Sequence, residues 1–98
     1  MIMSLKDILM TLENLKDGIR QRYKADIRGV FGSYVRGHQT VDSDLDVLVE
    51  YDKGATLIDH VGLSLFLEEH LGMSVDVVIE SAIRAEIREE VLMEKVSV

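Results

Sequence analysis

Fifteen residues, Gly32 to Asp46, carry side chains able to do chemistry at spacings that chemistry demands. Asp44 and Asp46 flank Leu45 and open an apolar run that continues to Val49. On a strand, side chains two apart share a face, about 6.6 Å from Cα to Cα. Carboxylates so placed can converge on a pair of divalent ions lying roughly 3.5–4 Å apart. Upstream, the apolar pair Val30 and Phe31 leads into Gly32 and Ser33, and ten residues separate Ser33 from Asp44. A Gly-Ser turn offers backbone N–H groups and a hydroxyl to a phosphate. Arg36 follows Ser33 by three residues, so on one helical turn both face the same way, and a guanidinium suits bidentate phosphate contact. A surface ion pair is the plainer role for Arg36, and its neighbours favour the phosphate role. Together these residues read as metal-dependent chemistry on a nucleotide.

Competing readings of the acids fail on particular positions. A calcium-binding EF-hand loop starting at Asp42 would need Gly at its sixth place and Glu at its twelfth, where Val47 and Lys53 stand. A phosphate-loop NTPase needs Gly-Lys-Ser/Thr closing its glycine loop, and no such string exists. A glycosidase pair faces across a cleft rather than along one strand. Acids that merely solubilise a strand edge would explain Asp-x-Asp alone, but not the cradle at its spacing. His38 lies in a polar loop with nothing to orient it, and reads as solvent-exposed.

The elements that must hold these residues follow in order. Residues 4–23 read as a helix capped by Ser4, with Asp7 completing a capping-box variant. Leu5, Ile8, Leu9, Leu12, Leu15 and Ile19 form its apolar stripe, which reads as an ordinary core face. Arg20, Arg22, Lys24 and Arg28 read as a solvated basic helix end. A first strand is expected over Asp26–Phe31 and a helical turn over Ser33–Gly37. A second strand is expected from Asp44 to Tyr51, with Asp44, Asp46, Leu48 and Glu50 on a partly open face. A helix from Thr56 to Leu71 should turn Ile58, Val61, Leu65 and Leu57 inward and end at Gly72. His60 and His70 do not share a face on it. A third strand, Val75–Glu80, should place Asp76 beside Asp44 and Asp46. Ser81 is expected to cap a last helix with Ile83, Ile87 and Val91 inward, before a brief strand over Val96–Val98. The fold class is α+β: a small mixed sheet with helices mainly on one face.

Composition sets the bounds. Ninety-eight residues suit one domain, 1–98, and 47% apolar content excludes disorder. No apolar run approaches the roughly 20 residues that span a bilayer, and no signal sequence is visible, which favours a cytoplasmic setting. No cysteine is present, so disulfides and thiolate metal sites are excluded. Eleven Lys+Arg against eighteen Asp+Glu give a net charge of −7, a field that disfavours direct nucleic-acid binding and favours a basic partner.

The strings Gly32-Ser33-Tyr34-Val35-Arg36-Gly37 and Ser43-Asp44-Leu45-Asp46-Val47-Leu48-Val49, with Asp76 later and the tail from Ile87 to Val98, resemble the minimal nucleotidyltransferases. These belong to the DNA polymerase β-like nucleotidyltransferase superfamily. The resemblance implies that Gly32, Ser33 and Arg36 hold the triphosphate of ATP or another NTP. It implies that Asp44 and Asp46 bind two Mg²⁺, with Mn²⁺ as a substitute, and that Asp76 completes the metal site and helps activate the attacking hydroxyl. Several members act as antitoxins beside HEPN-domain toxins, so the resemblance implies AMP transfer to a hydroxyl of a HEPN partner. Two alternatives stay open at this stage: an antitoxin that neutralises by contact alone, and a small-molecule nucleotidyltransferase.

Overall fold

The computed structural model describes residues 3–98. Its elements run α1 (Leu5–Tyr23), β1 (Ala25–Phe31), α2 (Ser33–Arg36), β2 (Leu45–Tyr51), α3 (Leu57–Leu71), β3 (Val75–Ile79), a 3-10 turn (Glu80–Ala82), α4 (Ala85–Glu94) and β4 (Val96–Ser97). The strands form one mixed sheet in the order β3-β2-β1-β4. β1 is antiparallel to β2 and β4, while β2 and β3 run parallel. The parallel pair is joined by α3, the crossover such a pair requires.

Local chemistry fixes most boundaries. Ser4 Oγ accepts from the Asp7 amide at 3.1 Å, starting α1 where the sequence placed it. α3 begins with a capping box between Thr56 and Asp59 and stops at Gly72, whose φ of 66° a side chain would resist. In β1 the pairing register with β2 shifts between Ile27 and Gly29. That bulge lets Ile27 and Val30, three apart, both reach the core. Gly29 also admits β4: a Cβ there would stand 2.5 Å from the Val96 carbonyl oxygen.

The core lies between the sheet and α1 with α3. Ile8, Leu12 and Ile19 of α1 meet Ile27, Val30, Leu45, Val47 and Val49 of the sheet and Leu63 and Leu67 of α3, all fully buried. Each such side chain contributes about 1.5–3 kcal/mol relative to exposure. The stripe on α1 is therefore a core face, as expected.

Two helices differ from expectation. On α3 the inward residues are Leu63, Leu67 and Leu71, whereas Leu57, Ile58, Val61 and Leu65 are exposed, Ile58 by 83%. The helix is apolar on nearly every side, so periodicity offers two stripes. Packing against β3 and Tyr23, which lies close to Gly62, selects the other one. The last helix begins at Ala85 with Arg84 as its cap residue. Ser81 does not cap it but donates through its amide and hydroxyl to Glu50. Ile83 is buried, but Ile87 is 49% exposed and α4 buries no residue fully. On the sheet face opposite α1, Leu48 is nevertheless fully buried, while Asp76 at the acidic end is exposed.

Candidate active site

Three turns of backbone bring the acids and the Gly-Ser turn to one end of the sheet. β1 delivers Gly32 there, and β2 and β3 both start there. Phe31 pairs with Asp46, and Asp46 pairs with Asp76 across the parallel strands, so these side chains lie on one face. Asp44 immediately precedes β2, anchored by the Leu45 amide donating to the Ser74 carbonyl at 2.9 Å. The sheet thus gathers Asp44, Asp46 and Asp76. Asp44 and Asp76 are exposed, and Asp46 is partly buried.

Gly32 is required for two reasons. Its φ is +85°, outside the range an L side chain adopts readily, and a Cβ would collide with Asp46 Oδ2. The same backbone then turns into α2, with the Val35 and Arg36 amides donating to the Gly32 carbonyl. Tyr34 is buried and seats that turn, while Gly37 ends it at φ 74°. Ser33 opens the turn beside the acids.

Charge at the site is unbalanced. Burial, then Asp76 and Asp44, raise the Asp46 pKa from 3.8 to about 6; Arg36 opposes the rise and Glu94 adds to it. Such crowding marks a deficit of positive charge at Asp46. No three Asp, Glu or His side chains among the described residues close into a ready metal cage. A magnesium-class ion is usually held by one or two carboxylates together with substrate phosphates. The donors are all hard oxygens, so the residues fit such a cation.

Arg36 is half exposed, and its guanidinium is engaged within the chain. Its Nη1 donates to Glu94 Oε1 at 2.8 Å, and the Gly32 amide donates to the same oxygen at 3.1 Å. Glu94 is the site residue that sequence reasoning missed. It lies 62 positions from Gly32, within the tail that carries the resemblance but with no role assigned to it there. One signal was available: a carboxylate closing a helix with no basic residue in its last turn is disfavoured by the macrodipole and needs a partner elsewhere. The histidines stay outside the site. His38 is exposed, His60 Nδ1 bonds the Tyr51 hydroxyl at 2.7 Å, and His70 Nδ1 bonds the Phe66 carbonyl. Burial and Asp59 push Tyr51 up to about 12, so it remains a neutral phenol.

A mixed sheet backed by two helices, with a glycine turn against paired strand acids, defines a nucleotidyltransferase domain. The family described as nucleotidyltransferase domain matches residues 12–98, and the chain belongs to it as a minimal nucleotidyltransferase. A protein of Thermococcus cleftensis named protein adenylyltransferase MntA is 38% identical over 97 residues, covering 99% of this chain and 98% of that one. A relative from Methanocaldococcus jannaschii, named provisionally as a protein adenylyltransferase, is 39% identical over 84 residues, covering 86% of this chain and 84% of its own. A solved structure described as a minimal nucleotidyltransferase superposes with a TM-score of 0.81 at 40% identity, covering 98% of this chain and 97% of the other. A toxin–antitoxin structure with AMP-PNP shares the fold at a TM-score of 0.67 and 24% identity, over 87% of this chain and 70% of the other. The chain is accordingly a nucleotidyltransferase. No described helix is long and apolar enough to cross a membrane.

Proposed function

We propose that this chain moves AMP from ATP to a hydroxyl of a partner protein and serves as the antitoxin of a toxin–antitoxin pair, with a HEPN-domain toxin as that partner. The observation that carries the reading is the register of Asp46 with Asp76, which sets three carboxylates beside the Gly32-Ser33 turn. Asp44 and Asp46 would hold two Mg²⁺, with Asp76 completing the set. Bound there, the ions would supply positive charge to the attacking and leaving oxygens of an in-line displacement at the α-phosphorus. Asp76, exposed on the edge strand β3, would take the proton of the incoming hydroxyl. Gly32 N–H, Ser33 and Arg36 would steady the phosphates and the departing pyrophosphate. The AMP–oxygen bond forms as the bond to pyrophosphate breaks. Support for a protein acceptor comes from the adenylyltransferase relatives, which match nearly end to end.

Asp76→Ala tests this reading because Asp76 is exposed and packs no core. The variant should still co-purify with the HEPN partner but add no adenylyl mass to it. Wild type with ATP and Mg²⁺ should add whole adenylyl units, read by intact-protein mass spectrometry. Unmodified partner with wild type, alongside full neutralisation by Asp76→Ala, would leave contact alone as the antitoxin mechanism.

A further inference from the structure

Among the described residues, the anion-binding groups assigned above are already occupied, and the occupant comes from the chain itself. Glu94 Oε1 takes both the Gly32 amide and the Arg36 guanidinium. These are two of the three groups that the proposed function gives to phosphate. A carboxylate and a phosphate oxygen ask the same thing of such donors, namely charge-assisted hydrogen bonds. We infer that Glu94 is an internal substitute for the nucleotide phosphate, holding Gly32 and Arg36 until ATP displaces it and thereby setting the nucleotide concentration the site needs. The inference rests on the phosphate reading of Gly32 and Arg36.

Glu94 is placed for this task by its neighbours on both sides. It is the last residue of α4, a helix that buries no residue fully and can yield. Directly after it, Lys95 bonds Glu80 at 2.8 Å, and Val96 pairs with Val30 of β1. The chain beyond Glu94 is therefore fixed to the sheet one residue before β1 reaches Phe31 and Gly32. The carboxylate is held at the turn without being locked in the core. It opposes nucleotide in two ways: it fills the donors, and its charge adds to that of Asp44, Asp46 and Asp76 facing an incoming polyphosphate. Release frees Arg36, whose side chain is otherwise half exposed and reaches the same opening.

Affinity for a nucleotide is reduced by the fraction of protein that is open to it, so a substitute closed about ten times out of eleven weakens binding roughly tenfold. Glu94→Gln keeps the shape and removes the charge. Calorimetry with Mg²⁺ and ATP bearing a methylene between the α- and β-phosphorus, which cannot transfer AMP, should show Glu94→Gln binding about tenfold more tightly than wild type. Equal or weaker binding by the variant would overturn the inference; weaker binding would make Glu94 a supporter of the ion or of Arg36. A second measurement stands apart from nucleotide. The Gly32 amide proton resonance should differ between wild type and Glu94→Gln without ligand, and saturating analogue should bring the two together. No difference in the free proteins would mean the contact is not made in solution, which also overturns it. Should neither protein bind the analogue while the Gly32 resonances differ as expected, the phosphate reading of the turn fails, and the substitution of Glu94 for nucleotide fails with it.

Discussion

Replacing Asp46 by Asn should stabilise the metal-free protein at neutral pH, and the size of the gain follows from the burial of Asp46 and the acids around it. The Asp46 carboxyl titrates near 3.8 when unfolded and at about 6 in the fold, raised first by burial and then by Asp76 and Asp44. A folded pKa above the unfolded one means that the protonated form suits the fold. Its stabilisation is complete below about 3.8 and is lost as pH climbs through about 6. At about 1.4 kcal/mol per pH unit the rise corresponds to about 3 kcal/mol. Asp46 is only partly buried and its acidic neighbours are exposed, so solvent screening reduces this to about 1–1.5 kcal/mol. In a domain of this size that is a melting temperature higher by about 4–10 °C. Thermal melts followed by circular dichroism at pH 7.5 in EDTA should show Asp46→Asn above wild type, with the difference vanishing near pH 4. Adding Mg²⁺ should raise wild type and leave the variant nearly unmoved, by mass-action linkage to an ion that needs the charge. A variant melting at or below wild type at pH 7.5 in EDTA would refute the claim that burial and the neighbouring carboxylates disfavour ionised Asp46 in the fold.

Gly32→Ala should cost more than the about 1–3 kcal/mol typical of backbone strain, because the new methyl also meets Asp46; urea denaturation measures it. On α3, Ile58→Ser should change stability by no more than about 0.5 kcal/mol, whereas Leu67→Ala should lose about 2–5 kcal/mol. A large loss from Ile58→Ser would mean that the exposed stripe is covered in solution.

What the sequence made legible was whatever local chemistry decides. Ser4, Gly37 and Gly72 ended or began elements where their conformations required it, and strand alternation put Asp46 and Asp76 on one face, with Asp44 just before β2 near enough to act on Asp46. Chemistry that depends on partners distant in sequence was hidden. The burial of Leu63 rather than Leu65 is settled by what α1 and β3 present to α3, since both leucines satisfy a helical period. The bulge in β1 is a matter of pairing with β2, not of the residues in β1 alone. Ser81 looked like a helix cap because Ser often is one, but Glu50, 31 positions away, takes both its donors. Glu94 belongs to the same category: its importance lies in a contact no local window contains.

The placement of Asp46 beside Asp76 on neighbouring parallel strands has a consequence for motion. Their separation is fixed by ladder hydrogen bonds from Leu45 with Val75 to Val49 with Ile79, flanked by fully buried Val47 and Val49. Moving one acid away from the other means breaking that ladder, whose β2 side lies in the interior of the sheet among the best-packed residues of the domain. α4, with no fully buried residue, can open at far lower cost. Ladder-bonded amide hydrogens of β2, which has a partner strand on each side, should then be among the slowest to exchange with solvent, and those of α4 should exchange many times sooner. If exchange in α4 is that much faster, the strand half of the site holds its shape while the half carrying Glu94 opens against it.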